Sequence, residues 1–354
     1  MKYLIDIGHP AHVHYFKNFA RININKGNEV LFTCRDKEVT ITLLEHYNFK
    51  YINFGKPFKS RIGKILGLFY FTFRVIIVSR KFKPDLFLNA SMYSAISAWI
   101  LRKPHISLED TFNMEQVRLY LPFSSAVLTG TYYHRKLGKK EISYNGFQEL
   151  AYLHPKYFIP DTSILKELDI PANEIFFIIR FVSWKASHDI GHEGLSLRLK
   201  RELINILSKY GRVFISSENK LPEEFEQFKF NLGPDRMHHA LAYANLYIGE
   251  GATMASECAV LGTTAIYINS EEAGLIDEHE KNELIYHFRD ENCVIEKIHK
   301  LLEDPLLKTH SLERSKKMVN EKIDVTSFIV WFAENWPESF KIMKENPEYQ
   351  ERFK

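Results

Sequence analysis

The chain has 354 residues, with 47 Lys and Arg against 44 Asp and Glu and a net charge of +3. That length points to two domains rather than one core, and the near balance of charge excludes a general nucleic-acid binder, so any basic site must be local. The three cysteines, Cys34, Cys258 and Cys293, form neither a disulfide framework nor a Cys-x-x-Cys metal pattern. The opening MKYLIDIG runs straight into a strand without a leader pattern, so a reducing, cytoplasmic setting is expected.

In chain order, KYLIDIG reads as a short buried strand, followed by a helix near 14–26, strand EVLFTC, a helix over 37–47 and strand FKYINF. Between the first strand and first helix, Gly8 and Pro10 shape a turn that carries His9, His12 and His14. A turn does not give the i, i+4 spacing of a helical zinc pair, and no carboxylate or cysteine adjoins these rings, so no metal is expected. A histidine at a strand's carboxyl end suits general-base work, and His12 is the candidate. His14 reads more simply as a cap or loop hydrogen bond.

Residues 56–83 hold eight Lys and Arg, no acid, and an apolar stripe of Ile62, Ile65, Leu66, Phe69, Phe73, Ile76 and Ile77 at helical spacing. The least interrupted apolar run, Ile65 to Val78, falls short of the ~20 residues that cross a bilayer. Either this is a core-packed helix with a basic outer face, or it lies on an anionic membrane surface. PDLFLNA then reads as a strand, SMYSAISAWIL as a helix, and PHISLE and SSAVLTG as strands. Alternating strands and helices of this kind make a doubly wound α/β domain with a mostly parallel sheet.

HPKYFIPDTS, at 154–163, suits a linker, and a second series follows with strands EIFFIIRFV, RVFISS, NLYIGE and TAIYIN. The expected domains are 1–155, 156–324 and a helical tail over 325–354 that packs back on the first. After EIFFIIRFV, residues Arg180, Ser183, Lys185, Ser187 and His188 supply cations and hydroxyls suited to a diphosphate leaving group. The alternative pairs Arg180 with Asp189 in a solvated loop. GEGATMASECAVLG carries the strongest signal. Gly249 and Gly251 allow close backbone approach, Glu250 and Ala252 adjoin them, and Thr253 is placed to cap a helix whose amides suit phosphate. Glu257, one turn in, can accept two hydrogen bonds from a ribose diol.

Together, IDIGHPAHVHYFKNF, SWKASHDIGHEGLS and YIGEGATMASECAVLG resemble an uncharacterised bacterial and archaeal family of predicted glycosyltransferases, within the GT-B nucleotide-sugar superfamily. The resemblance spans nearly the whole chain. It implies a GT-B fold, two Rossmann-like domains facing a central cleft, with His12 at the base position and Glu257 at the ribose-binding glutamate. The expected substrate is a nucleotide-diphosphate sugar, UDP-linked by family analogy; membrane contact through residues 56–83 would suit a lipid-linked or glycan acceptor, and no cofactor is expected. Non-hydrolysing UDP-sugar 2-epimerases share the fold. In that alternative Glu109 and Asp110, at the end of PHISLE, shuttle protons at the sugar, although Asn89 stands where a further acid is wanted. Asp110 or Thr111 could instead cap the next helix. A non-catalytic nucleotide-sugar-binding protein is the third reading.

Overall fold

A computed structural model of the chain describes every residue except 59, 90, 112, 172–173, 183–194, 218–219 and 271–273, with the side chain at 61 also left aside. The chain divides into two compact units, Met1–Tyr157 with Lys322–Lys354, and Phe158–Glu321. The first unit runs β1 (Lys2–Ile7), α1 (Pro10–Asn25), β2 (Glu29–Cys34), α2 (Thr40–His46), β3 (Tyr51–Asn53), α3 (Arg61–Phe82) and β4 (Leu86–Leu88). It continues with α4 (Met92–Ile100), β5 (His105–Glu109), α5 (Met114–Tyr120), β6 (Ala126–Gly130), β7 (Glu141–Tyr144) and α6 (Leu150–Leu153).

These strands form a parallel sheet in the order β3-β2-β1-β4-β5-β6-β7. A parallel sheet is covered on both faces, so its strands must be apolar without alternation. Tyr3, Leu4 and Ile5 of β1 are accordingly all buried. The strand order reverses between β1 and β4, and the loops after those two strands border the place where open α/β sheets bind ligands.

Helix α1 starts four residues earlier than the periodicity predicts. Pro10 at its first turn has φ already set and no N–H to orphan, and the N-cap His9 accepts from the Ala11 amide through Nδ1 at 3.3 Å. His12 and His14 therefore ride on the helix rather than in a loop. Helix α3 has 22 residues, longer than the uninterrupted apolar run within it, and about a third of its most apolar window is buried.

The second unit contains α7 (Ser163–Glu167), β8 (Phe176–Phe181), α8 (Leu197–Leu207), β9 (Arg212–Ser217), α9 (Met237–Tyr243) and β10 (Leu246–Gly249). After them come α10 (Ala252–Leu261), β11 (Thr264–Ile268), α11 (Gly274–Lys281), β12 (Ile285–Phe288), α12 (Val294–Leu302) and α13 (Leu307–Asn320). Its parallel sheet has the order β12-β11-β10-β8-β9, with the reversal between β8 and β10.

The chain then returns to the first unit through α14 (Val325–Glu334) and α15 (Glu338–Glu345). The Ile323 amide donates to Asn145 O at 2.9 Å, and Asp324 Oδ2 accepts from Lys156 Nζ at 2.7 Å and Tyr157 OH at 2.8 Å. Phe328 is fully buried, its ring 5.7 Å from those of both Tyr144 and Phe353. The tail is thus part of the first unit's core. Phe328→Ala should destabilise that unit by roughly 3–5 kcal/mol, the range for emptying a buried aromatic site. Urea unfolding measures it, and a change below about 0.5 kcal/mol, as at an exposed site, would make the tail an appendage.

Candidate functional site

The first unit's site is built around one acid in an apolar strand. Asp6 of β1 is fully buried, and Arg35 Nη1 donates to its Oδ1 and Oδ2 at 2.8 and 2.7 Å. Thr33 Oγ1 donates to Oδ1 at 2.7 Å, and the Ser91 hydroxyl donates to Oδ2. The Arg35 guanidinium also lies 4.9 Å over the Tyr93 ring. Residues from β1, from β2 and its exit, and from beyond β4 are thereby tied at one corner. A Cβ on Gly8 would make ordinary contact with Arg35 Nη2 at 3.4 Å and the His12 ring at 3.8 Å, which places this glycine against the same corner.

Asn89, the first residue after β4, has φ +96°, a region that side chains other than glycine seldom adopt without a compensating contact. The contacts are present. Its Nδ2 donates one hydrogen to Asp6 O at 2.7 Å and the other to His12 Nδ1 at 2.8 Å, and the Gly8 amide donates to the same Nδ1 at 3.3 Å. A nitrogen that accepts two donors carries the lone pair, so the neutral ring holds its proton on Nε2. Burial, then the positive fields of His9, Arg35 and Lys37, push the His12 pKa down to about 3. The general-base role expected from sequence does not fit this ring state, because its basic nitrogen is already occupied. His12 presents a neutral N–H donor instead.

Beside it, the Tyr15 ring lies 5.8 Å from His12 and its hydroxyl donates to Asp110 Oδ2 at 2.8 Å. Glu109, buried at the end of β5, accepts from Thr111 N at 2.8 Å, Thr111 Oγ1 at 2.7 Å and the Tyr120 hydroxyl. Burial and the adjacent Asp110 push the Glu109 carboxyl up to about 8, against the opposing pull of those three donors. Burial also raises Asp110, while the Tyr15 hydrogen bond pulls it down. Neither Asp110 nor Thr111 caps α5, since Asn113 Oδ1 does so by accepting from Gln116 N at 3.2 Å. The buried Tyr132 hydroxyl has no hydrogen-bond partner among the described residues.

In the second unit, β10 leads into α10 through Gly249, Glu250 and Gly251. A Cβ on Gly249 would sit 2.3 Å from the Tyr247 hydroxyl, so this glycine serves packing. At Gly251, the N-cap, the nearest atom to an added Cβ is Val182 Cγ2 at 3.7 Å. The N-cap is a glycine, which has no side chain to cap α10. Thr253, expected as the cap, lies inside the first turn because the helix begins one residue before it. The first helical bond runs from Ala255 N to Gly251 O at 3.2 Å, leaving the amides of Ala252, Thr253 and Met254 without helical acceptors at the positive end of the helix dipole.

Glu257 is buried one turn in, where its Oε1 accepts from His238 Nε2 at 2.9 Å. Glu250 departs from the phosphate-site reading. Its Oε2 accepts from Val182 N at 3.0 Å and its Oε1 from Leu195 N at 2.8 Å, which commits it to the backbone on either side of 183–194. Arg180 Nη1 donates to Ser216 Oγ at 2.6 Å. Ser183, Lys185, Ser187 and His188 lie outside the described residues, as does Asp189. Among the described residues no group of three or more His, Cys, Asp or Glu is placed to hold a metal ion.

The family model described as a protein of unknown function, DUF354, matches residues 1–330. The chain belongs to that family. Uncharacterized protein MJ0665 of Methanocaldococcus jannaschii is 27% identical over 305 residues, covering 80% of this chain and 86% of that one. Among solved structures, UDP-GlcNAc 2-epimerase from Neisseria meningitidis, bound to UDP-GlcNAc, matches with a TM-score of 0.68 at 14% identity over 90% of this chain and 99% of that chain. SsfS6, a glycosyltransferase of Streptomyces sp. SF2575, matches with a TM-score of 0.59 at 12% identity over 95% and 100%. This DUF354 member thus has the GT-B fold, with two Rossmann-like doubly wound units, as expected from sequence.

Sequence reading missed Asp6, Arg35, Tyr120 and His238. An acid inside the apolar KYLIDI strand is itself a signal, since a carboxylate there must find a cation or several donors. Nothing in MHHALAY marks His238 as the partner of a glutamate 19 residues on.

Two outcomes follow from the first unit's geometry. Nitrogen-15 NMR of histidine-labelled protein should find His12 neutral with its proton on Nε2 at pH 6, and Asn89→Ala should loosen that preference. A ring that titrates near 6.5 would contradict the assignment. For Glu109, a folded pKa raised from 4.5 to about 8 means that the folded state holds the proton more tightly. Its contribution to stability is fully present below about 4.5 and is lost as pH rises through about 8. Urea unfolding across that window should show a downward slope in the wild type that Glu109→Gln flattens. Identical slopes would mean that Glu109 is ionised in the folded protein.

Proposed function

We propose that this protein is a metal-independent glycosyltransferase that moves a sugar from a nucleotide-diphosphate donor to a hydroxyl acceptor. The observation that carries the reading is the start of α10, with its first-turn amides, the room over Gly251 and the buried Glu257 one turn along. Backbone N–H groups at such an end suit a diphosphate without a cation. Glu257, held by His238, accepts hydrogen bonds from the ribose hydroxyls. In the first unit, the Asp110 carboxylate takes the acceptor proton, and the neutral His12 Nε2–H donates to a substrate oxygen. UDP is the favoured nucleotide by analogy. A surface glycan or glycolipid is the acceptor class, and the cytoplasm is the proposed setting.

A 2-epimerase is the second reading, favoured by one observation: burial at the end of β5 and the adjacent Asp110 bring Glu109 near neutrality, where a carboxyl can give or take a proton. Against it stands Asn89, whose amide is committed to Asp6 and His12 at the strand end where that chemistry wants another acid.

A thermal-shift screen tests the donor site, because a nucleotide at a hundredfold excess over its dissociation constant stabilises by about 2.7 kcal/mol. UDP should raise the melting temperature most. If UDP, GDP, dTDP and CMP at millimolar concentration all leave it unchanged, the donor reading fails. Glu257→Gln, which can keep a hydrogen bond to His238, should weaken UDP binding by roughly 1–3 kcal/mol. A nucleotide lacking both ribose hydroxyls should not distinguish it from wild type. To separate the two chemistries, UDP-GlcNAc is incubated without acceptor in deuterated water and followed by proton NMR. The transferase reading expects neither a 2-epimer nor deuterium at C2, and appearance of either, abolished by Glu109→Gln, would establish the epimerase.

A further inference from the structure

Helix α3 presents two unlike faces. Phe71 and Val75 are buried against Leu4 and Phe87 in the first unit's core. The opposite face carries Ile62, Ile65, Leu66, Phe69, Phe73 and Ile77, exposed by 74, 62, 60, 69, 61 and 49%. Their spacing of three and four residues places them on one stripe, which runs about 22 Å along the axis at 1.5 Å per residue. Core packing explains the first face, and the second is left exposed among the described residues.

The neighbouring helix α4 also exposes apolar side chains. Helix α4 is tied to α3 by the Ser97 hydroxyl donating to Thr72 O at 3.1 Å, and it ends with Trp99 and Ile100 exposed by 61 and 47%. Arg102 and Lys103 follow at once, both exposed. On α3 and its flanks, Lys56, Arg80, Lys81 and Lys83 are also exposed, and among the described residues none of these four forms an ion pair. No acid interrupts residues 56–83.

From this we infer that the exposed face of α3, with the end of α4, docks on a bilayer surface that carries anionic lipid. An apolar stripe bordered by cations seats its side chains at the boundary of headgroups and acyl chains while the cations meet lipid phosphates. Trp99 suits the same depth. The helix lies flat rather than spanning, because its other face is fixed to the sheet through Phe71 and Val75. Charge also argues against a second copy as the occupant, since two such faces would bring like-charged Lys and Arg together. The inference does not rest on sugar transfer, because docking is read with no nucleotide present.

The test is co-sedimentation of the full chain with vesicles of phosphatidylcholine, alone or mixed with phosphatidylglycerol. Partitioning onto the mixed vesicles should be at least about tenfold stronger and should weaken as salt screens the cations. Phe69→Ser with Phe73→Ser should reduce it about tenfold or more, and Lys81→Gln with Lys83→Gln should weaken the phosphatidylglycerol preference. Both pairs of positions are solvent-facing, and an unchanged melting temperature with unchanged UDP binding confirms that each variant is folded. Wild type that does not sediment with mixed vesicles, equal binding to both vesicle types, or a serine variant that binds like wild type would each overturn the proposal. A dimer in equilibrium sedimentation that Phe69→Ser with Phe73→Ser dissociates would assign the face to a second copy instead.

Discussion

The Asp6 carboxylate is the constraint on which the first unit's chemistry depends. Buried acids are tolerated only when cations and donors surround them, and here a guanidinium and two hydroxyls arrive from β2 and from the turn after β4. That turn also carries Asn89, which Asp6 holds through its main-chain oxygen and which in turn fixes the His12 ring. Removing one partner of such a buried pair costs about 3–5 kcal/mol, far more than the pair adds over an apolar replacement. Its value is positional, since it holds the Asn89 turn that sets which imidazole nitrogen carries the proton.

The two units use the same topological feature in different ways. In the first, the strand-order reversal between β1 and β4 is filled with side chains: an ion pair, an amide, an imidazole and, one strand over, two acids. In the second, the described residues at the reversal between β8 and β10 offer the backbone at the start of α10, with Gly251 as its N-cap and the Glu257–His238 pair one turn along. The acid nearest that reversal, Glu250, spends both oxygens on main-chain amides. Side-chain acids and rings suit proton handling, whereas backbone amides suit an anion that must be bound without exchanging protons.

Much of the architecture was legible because parallel strands announce themselves as continuous apolar runs. KYLIDI, EVLFTC, PHISLE and EIFFIIRFV all contain observed strands. EISY and IYHF were not recognised, since four residues with mixed polarity lack a readable period. At the sites, sequence located the His12 and Glu257 segments but not their partners. Arg35 is 29 residues from Asp6 and Asn89 is 77 from His12, so only the fold brings them together. The role of His12 was also beyond sequence, because which nitrogen carries the proton depends on Asn89 and the Gly8 amide.

The return of α14 and α15 to the first unit bears on how the protein forms during synthesis. Phe328 and its neighbours complete a core begun by β1 and α1. Yet they leave the ribosome only after all of residues 158–321. The unit that starts the chain therefore finishes folding last, and the second unit has every residue it needs while the first still lacks its closing helices. A chain ending at residue 321, once free of the ribosome, would have every residue of the second unit but an open apolar surface on the first, which makes the interval before the last helices emerge the stage at which a chaperone has most to cover.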